Sequence, residues 1–327
     1  MNSPKVTVIV PVYNVAVFIE RCTISLFEQT LDSLEILFVD DCSLDNSVEI
    51  IKETLQKYPK RSSLTRIVRM PANAGQAAVR RRGIIEATGQ YIIHCDGDDW
   101  VDLDLYERMY NTAIEKKADI VMCDEIYECY DGGHLHQEVN LPGNCKEVVK
   151  NWYKHTVGMF CHCNMVKHSL YTDNDILPWI GLNMWEDNGL LTRLFYYGGN
   201  LAHIHGSYYH YNRTNMNAIT SGYGIKQVEQ MISIAEHLTK FFSSKPDAKD
   251  FEKTVMAFQF LARINLVTDS FANLRRYYHT YKGSENIISE LDPYAFSKKG
   301  RFRFRMVQFH LSWLFVFMFK VKSLLHL

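Results

Sequence analysis

Short apolar runs alternate with helix-like stretches four times between Val6 and Asp99, and that rhythm leaves few folds open to the chain. Val6 to Pro11 reads as a buried strand, Val12, Tyr13 and Asn14 as a turn, and roughly Ala16 to Gln29 as a helix. Leu34 to Val39 is a second apolar run, after which Ser43 or Asp45 can cap another helix. A third strand around Thr65 to Arg69 leads through Asn73, Ala74 and Gly75 into a helical stretch that reaches Ala87 and is closed by Gly89. Tyr91 to Cys95 forms the fourth strand. The alternation predicts an α/β fold, a largely parallel sheet with helices on both faces, in which ligands gather at the carboxyl ends of the strands.

The fourth strand runs straight into Asp96, Gly97, Asp98 and Asp99. Hard oxygen ligands at the rim of a sheet, with a glycine that lets the backbone turn sharply, suit a divalent cation held against a diphosphate. The same residues also fit a plain acidic turn, since Asp-Gly is a favoured hairpin signal. Other motifs bear on that choice. They are Val8-Ile9-Val10-Pro11-Val12-Tyr13-Asn14, the run Val39 to Ser47 with Asp40-Asp41-Cys42-Ser43, and Asn73 with Gly75, Arg80 and Gly83. Further along stand Gly89 to Asp99, Trp185-Glu186-Asp187, and Tyr208 to Thr220 with Tyr211, Arg213, Ile219 and Thr220.

In this ordered set the chain resembles the family 2 glycosyltransferases, inverting enzymes of the Rossmann-like GT-A fold that build bacterial polysaccharides and glycoconjugates. The resemblance implies transfer of a hexosyl or N-acetylhexosaminyl group from a nucleotide sugar, UDP-linked in the first instance, to a saccharide or lipid-linked saccharide. By the same resemblance Asp41 accepts a hydrogen bond from the donor's base, for which the ring N–H of uracil is a good partner, while Asp40 is structural. Asp96 and Asp98 match the acidic pair of the family. The first is expected to meet the ribose or metal-bound water and the second to ligate Mg²⁺ or Mn²⁺, so Asp98 with Asp96 is the expected metal set. Pro11, Tyr13 and Gly97 are expected on the donor side. Of Arg80, Arg81 and Arg82 only Arg80 matches the motif, and successive helical positions point in different directions, so Arg80 alone is expected at the donor. Arg213, or His210 near it, is expected at the donor phosphates, a solvated strand-end Arg being the alternative.

Asp187 matches the family's general base. Inversion by direct displacement needs one base on the acceptor side and no enzyme nucleophile. Met184, Trp185 and Glu186 would surround it, and apolar neighbours would raise its proton affinity by desolvation. The bland alternative is an exposed helix start, where acidic residues are favoured. Two other functions fit less well: a sugar-1-phosphate nucleotidyltransferase would carry a Gly-rich basic loop after the first strand, which Pro11 to Asn14 is not, and a non-catalytic sugar-nucleotide-binding protein would not need these acids intact. The chain also departs from the family pattern. Cys42 stands where Gly is usual, uncomfortable in a turn that needs positive φ. Cys163, Asn164, Met165 and Val166 replace a common Trp-Asn-Lys-Leu, and Arg81 replaces an Asn, so acceptor chemistry does not carry over.

A hydrophobic fraction of 47% in 327 residues allows a sizeable core. A net charge of −1 argues against a nucleic-acid partner. Eight cysteines without disulfide spacing, and no signal-peptide pattern before the first strand, point to a reducing cytoplasm. Cys161-His162-Cys163 lacks further ligands at fitting spacing for a soft metal and is expected to be packing or acceptor-site lining.

Beyond a turn expected at Asp131-Gly132-Gly133, helical patterns take over. Ile225, Val228, Met231, Ile232, Ala235, Leu238 and Phe242 form one apolar face, Lys245-Pro246-Asp247 a break, and Val255 to Val267 a second helix. The expected division is therefore 1–125 for the nucleotide-sugar half, 126–222 for the acceptor half of the same domain, 223–295 for a helical extension and 296–327 for a basic and aromatic end. In that end Lys298, Lys299, Arg301, Arg303 and Arg305 precede Trp313 to Phe319, followed by Lys320 and Lys322. The apolar run is short of the about 20 residues a membrane span needs. It suits lying in the interface at the inner face of the plasma membrane, with basic residues on anionic headgroups. The alternative is a terminal helix packed on the protein or on a second copy in a homodimer.

Overall fold

The computed structural model describes residues 3–130, 135–137, 144–154, 159–215, 224–268, 270–291 and 298–324. The turn expected at Asp131 to Gly133, and the motif residues Ile219 and Thr220, lie outside them. The chain divides into two compact units, Met1–Val148 with Gly158–Ser221, and Val149–Val157 with Gly222–Leu327.

In the first unit β1 (Val6–Val12), β2 (Leu34–Asp40), β3 (Thr65–Arg69) and β4 (Tyr91–His94) pair in parallel in the order β3-β2-β1-β4. They are joined through α1 (Ile19–Phe27), α2 (Ser47–Lys57) and α3 (Gln76–Glu86). These are the four strands and the helices that the periodicity predicts. The first helix starts later than Ala16 because Asn14 sits at φ 53 and the N–H groups of Val15 and Ala16 are taken by Ser47 Oγ at 3.0 Å and Asp45 Oδ2 at 2.9 Å. Val6, Val8, Val10 and Val12 join one core with Ile19, Cys22 and Leu26 of α1. Ile9 turns the other way, toward α3, where a Cβ on Gly83 would come within 2.4 Å of Ile9 Cγ2. Gly83 thus lets α3 approach the sheet closely.

The sheet continues through β5 (Trp100–Val101), α4 (Leu105–Glu115), β6 (Ile120–Glu128), β7 (Leu135–Gln137), α5 (Cys145–Asn151), β8 (Asn164–Lys167), α6 (His168–Asp173), α7 (Glu186–Tyr197) and β9 (Leu201–Asn212). Its full order is β3-β2-β1-β4-β8-β6-β9-β5, with β7 beside β6. The long ladders are parallel, while β8, β5 and β7 add short antiparallel ones. The mostly parallel α/β expectation holds, with a mixed second half.

The second unit contains α8 (Ile225–Ser243), α9 (Glu252–Arg263), α10 (Phe271–His279), α11 (Lys298–Gln308) and α12 (Ser312–Leu324). Val228, Met231, Ala235, Leu238 and Phe242 of α8 are buried as expected, whereas Ile225 is exposed at the helix start. The basic, aromatic end is two helices, each with one face in the core through Phe304, Val307, Phe315 and Val316. The packed-helix alternative is therefore partly met. Among the described residues no helix is long and apolar enough to cross a membrane.

Candidate active site

The acid after β2 is placed by a strained turn. Asp40 is buried, accepts the Ser43 N–H at 2.9 Å and lies 3.4 Å from Arg69, so it is structural, as expected. Cys42 adopts φ 62, the left-handed region that a glycine would enter without penalty, and its Sγ donates to the Met70 carbonyl at 3.0 Å. The Asp41 carboxylate accepts the N–H groups of Ala74 and Gly75, each at 2.8 Å. Each oxygen retains acceptor capacity for a further donor. Asn183, which no sequence signal singled out, accepts the Ala77 N–H at 3.0 Å and so caps α3 from a distant segment.

The turn after β4 is closed by the Asp99 N–H donating to the Asp96 carbonyl at 3.0 Å. Gly97 contributes space rather than unusual φ: a Cβ there would lie 3.0 Å from the Pro11 carbonyl oxygen and 3.2 Å from Val15. Asp99 is buried and accepts the Tyr209 hydroxyl and, at 2.7 Å, the Asn212 N–H, which ties the turn to β9. Asp98 remains half-buried and accepts the Asn215 amide at 2.8 Å. Burial pushes its carboxyl above the ordinary range, with the negative charge of Asp96 adding to the effect. Carboxylate oxygens crowded in this way suit a hard divalent cation, which relieves both the repulsion and the desolvation.

Arg80 connects the two acidic clusters. Its side chain is almost wholly buried in α3, with Nη2 3.0 Å from Asp96 Oδ1 and Nη1 paired with Asp187 Oδ1 and 3.3 Å from Glu186 Oε1. Glu186 and Asp187 open α7 behind Trp185, itself at φ 67. The acids occupy a helix's first turn, but not an exposed one: Glu186 is buried and Asp187 is largely covered beside a counter-ion. One expectation is corrected. Burial does push Asp187 upward, but the Arg80 charge and a hydrogen bond from Glu186 outweigh it, and its carboxyl lies below the usual range. Glu186 goes the opposite way, driven well up by burial and by the Asp187 charge.

A cavity of about 690 Å³ brings together Pro11, Tyr13, Asp41, Arg80, Asp96, Gly97, Asp98, Asp187 and Arg213, all named from the sequence. The Arg213 guanidinium lies 5.3 Å from the Tyr127 ring. His210 is not in the lining. Its ring stacks on Trp100 at 5.0 Å and its nitrogens meet Glu128 at 2.8 Å and Asp102 at 3.0 Å. One wall was only partly legible in the sequence: His162 and Tyr211 were named, but Glu125, Tyr127 and Phe160 were not. Glu125 on β6 lies 3.0 Å from His162 Nε2 and accepts the Tyr127 hydroxyl at 3.0 Å. Phe160 and Tyr211 lie nearly parallel to His162 at 5.4 and 5.8 Å. Cys163 Sγ approaches Glu125 at 3.9 Å, so Cys161-His162-Cys163 gains a carboxylate neighbour that spacing alone could not reveal.

Comparison with known proteins bears on the family and the fold. The family model described as glycosyl transferase family 2 matches residues 7–173. The chain is 28% identical over 264 residues to the putative glycosyltransferase EpsH of Bacillus subtilis (strain 168), covering 79% of this chain and 75% of that protein. It is 38% identical over 140 residues to the uncharacterized glycosyltransferase YibD of Escherichia coli (strain K12), covering 42% of this chain and 39% of YibD. Among solved structures, S. aureus TarS 1-349 in complex with UDP-GlcNAc matches with a TM-score of 0.65 at 16% identity, covering 98% of this chain and 91% of that one. The mannosyltransferase PcManGT from Pyrobaculum calidifontis, in complex with GDP-Man and Mn²⁺, matches at 0.54 and 16%, covering 99% and 88%. At this identity the likeness is one of fold, and the fold is GT-A.

Proposed function

Because this chain belongs to glycosyl transferase family 2, and is a glycosyltransferase, we propose that it transfers a sugar with inversion from a nucleotide-sugar donor, UDP-linked, to a saccharide or lipid-linked saccharide. Family membership removes the nucleotidyltransferase alternative. The observation that carries the finer reading is the convergence of Asp41, Asp96, Asp98 and Asp187, distant in sequence, on one cavity.

In this reading Asp41 takes the ring N–H of the base, with Pro11 and Tyr13 beside it, and Arg213 reaches the diphosphate. Asp98, with Asp96, holds Mg²⁺ or Mn²⁺, which when bound supplies neutralisation of the charge that grows on the departing diphosphate. The acceptor lies along Tyr127, Phe160, His162 and Tyr211, whose flat faces suit the apolar faces of a sugar ring. Asp187 takes the proton of the attacking hydroxyl. Its pairing with Arg80 keeps it ionised at neutral pH, the form that can accept a proton, and a single base is sufficient for inversion.

The same reading places the protein at the inner membrane surface through α11 and α12. Phe302, Phe309, Trp313, Phe317 and Met318 are exposed there, at 39%, 68%, 53%, 53% and 46%, among Arg305 and Lys320. Residues 298–327 contain seven Lys and Arg and no Asp or Glu in a chain of net charge −1. An exposed aromatic face with basic flanks suits anionic headgroups.

The experiment is a panel of UDP- and GDP-sugars with Mn²⁺, read by thermal shift and by slow donor hydrolysis. The expected result is a rise in melting temperature with one donor that depends on Mn²⁺ in the wild type and is lost in Asp98→Ala. A donor-induced rise that is the same with and without metal, and in the variant, would remove the metal assignment.

A further inference from the structure

A second cluster of chemically able side chains lies where β6 and β9 lose register, and the proposed reaction does not use it. Cys123 pairs with Ile204, but the next residue, Asp124, pairs with Tyr208, so His205, Gly206 and Ser207 are looped out of β9. The loop is held in shape: Arg108 donates to the His205 and Gly206 carbonyls at 2.6 and 2.7 Å, and Ser207 donates to Asp104 at 2.7 Å. Gly206 sits at φ 72, which a residue with a side chain would adopt only under strain.

This bulge sets two imidazoles over one buried carboxylate. His203 Nε2 is 2.8 Å from Asp124 Oδ1, His205 Nδ1 is 2.9 Å from Asp124 Oδ2, and His203 Nδ1 is 3.2 Å from His205 Nε2. The Asp124 side chain has no exposure and that of His203 only 7%, whereas His205 is 62% exposed, so the cluster is anchored below and open above. One ligand atom from each of the three residues lies within 4.8 Å of the other two.

Proton counting shows why this arrangement suits a cation. Three short contacts within one carboxylate and two imidazoles need a proton in each, while two neutral imidazoles bring two, so the cluster calls for one added cation, a third proton or a metal. A divalent metal supplies that charge by accepting one lone pair from each ring and one from the carboxylate, and the exposure of His205 gives it a path from solvent. Two imidazoles and one carboxylate form a borderline donor set, suited to Zn²⁺ rather than to Mg²⁺ or Ca²⁺.

We propose that Asp124, His203 and His205 bind a divalent transition metal, Zn²⁺ by donor chemistry, which staples the β9 bulge to β6. The site is separate from Asp96 and Asp98, which line the cavity, and it does not depend on the glycosyltransfer reading. No bond is made or broken in substrate. The effect is to fix β9, whose Tyr211 lines the cavity together with Arg213 just beyond the strand's end.

The test uses the full chain, stripped with chelator and dialysed, then titrated with Zn²⁺ alone and followed by melting temperature. Wild type and Asp98→Ala are both expected to show a Zn²⁺-dependent rise. His205→Ala, a change at an exposed position, is expected to need at least about tenfold more Zn²⁺, since loss of even a supporting partner of a metal ligand weakens binding by about 10–100-fold. Co²⁺ in place of Zn²⁺ should give a visible absorption band in wild type that is absent from His203→Ala and His205→Ala. No Zn²⁺ effect in wild type, an undiminished effect in His205→Ala, or an effect lost only in Asp98→Ala would overturn the proposal.

Discussion

Arg80 and Asp187, 107 residues apart in sequence, form a buried ion pair in the wall of the cavity, and the same guanidinium reaches Asp96. One side chain therefore positions both the proposed base and one acid of the proposed metal pair. A buried cation this heavily matched is costly to remove, because its partners are left as uncompensated charges.

Arg80→Met is expected to destabilise the fold by about 3–5 kcal/mol, the range for breaking a buried pair. Urea unfolding at neutral pH measures it. Arg80→Lys should recover part of the stability, but not the simultaneous reach to Asp96 and Asp187, because a point charge does not reproduce a planar fork. A Met variant as stable as wild type would show that the pair has little structural weight.

Asp187→Asn should retain donor binding and lose transfer to acceptor by about 10²–10⁴-fold, since the amide accepts no proton. Comparing donor affinity with single-turnover transfer separates the two effects. Normal transfer by the variant would move the base elsewhere, and His162 beside Glu125 is the next group to test.

Glu186 carries the opposite pH signature to Asp187. With its folded pKa raised, it contributes stability below its unfolded value of about 4.3 and loses that contribution as pH rises through the folded value. Glu186→Gln should therefore gain in melting temperature relative to wild type as pH goes from about 5 to 8. A difference independent of pH would contradict the assignment.

His94, buried in β4, is pushed down to about 3 by burial and by the Arg80 charge. Its folded pKa lies below the unfolded value of about 6.5, so its contribution is present above that value and is lost as pH falls toward 3. The loss is about 1.4 kcal/mol per pH unit while only the unfolded chain takes the proton. His94→Leu should flatten the stability curve between about pH 6 and 4, measured by urea unfolding at several pH values. Parallel curves for the two proteins would count against it.

The exposed face of α11 and α12 should bind anionic vesicles in a salt-dependent manner, as each basic residue near such a surface contributes about 1 kcal/mol. Phe309→Ser, Trp313→Ser and Phe317→Ser together should abolish co-sedimentation, while Arg305→Glu with Lys320→Glu should weaken it most at low salt. Circular dichroism controls for folding. Equal binding by the triple variant and wild type would exclude this face as the membrane contact.

Much of the geometry around β1 to β4 was legible because its signals are local. Strand periodicity placed β1 to β4, and the punctuation by Pro11, Asn14, Gly75 and Gly97 placed the turns at their carboxyl ends. Cys42 showed in advance where a positive φ would be strained, and φ 62 is what the turn adopts. The ordered motifs carried Asp187 into the same set although nothing local to it reveals a partner.

Local sequence thus determined which segments are strands, where the carboxyl edge of the sheet lies and which acids stand on it. Tertiary structure alone decided the state of those acids and who faces them. Asp187 is held ionised by an arginine from α3, His162 is oriented by a carboxylate from β6, and Asp124 lies under two imidazoles because β9 loops out three residues. Proton affinity and ligand geometry depend on charge, burial and distance in space, and those quantities come into being only when remote segments pack together.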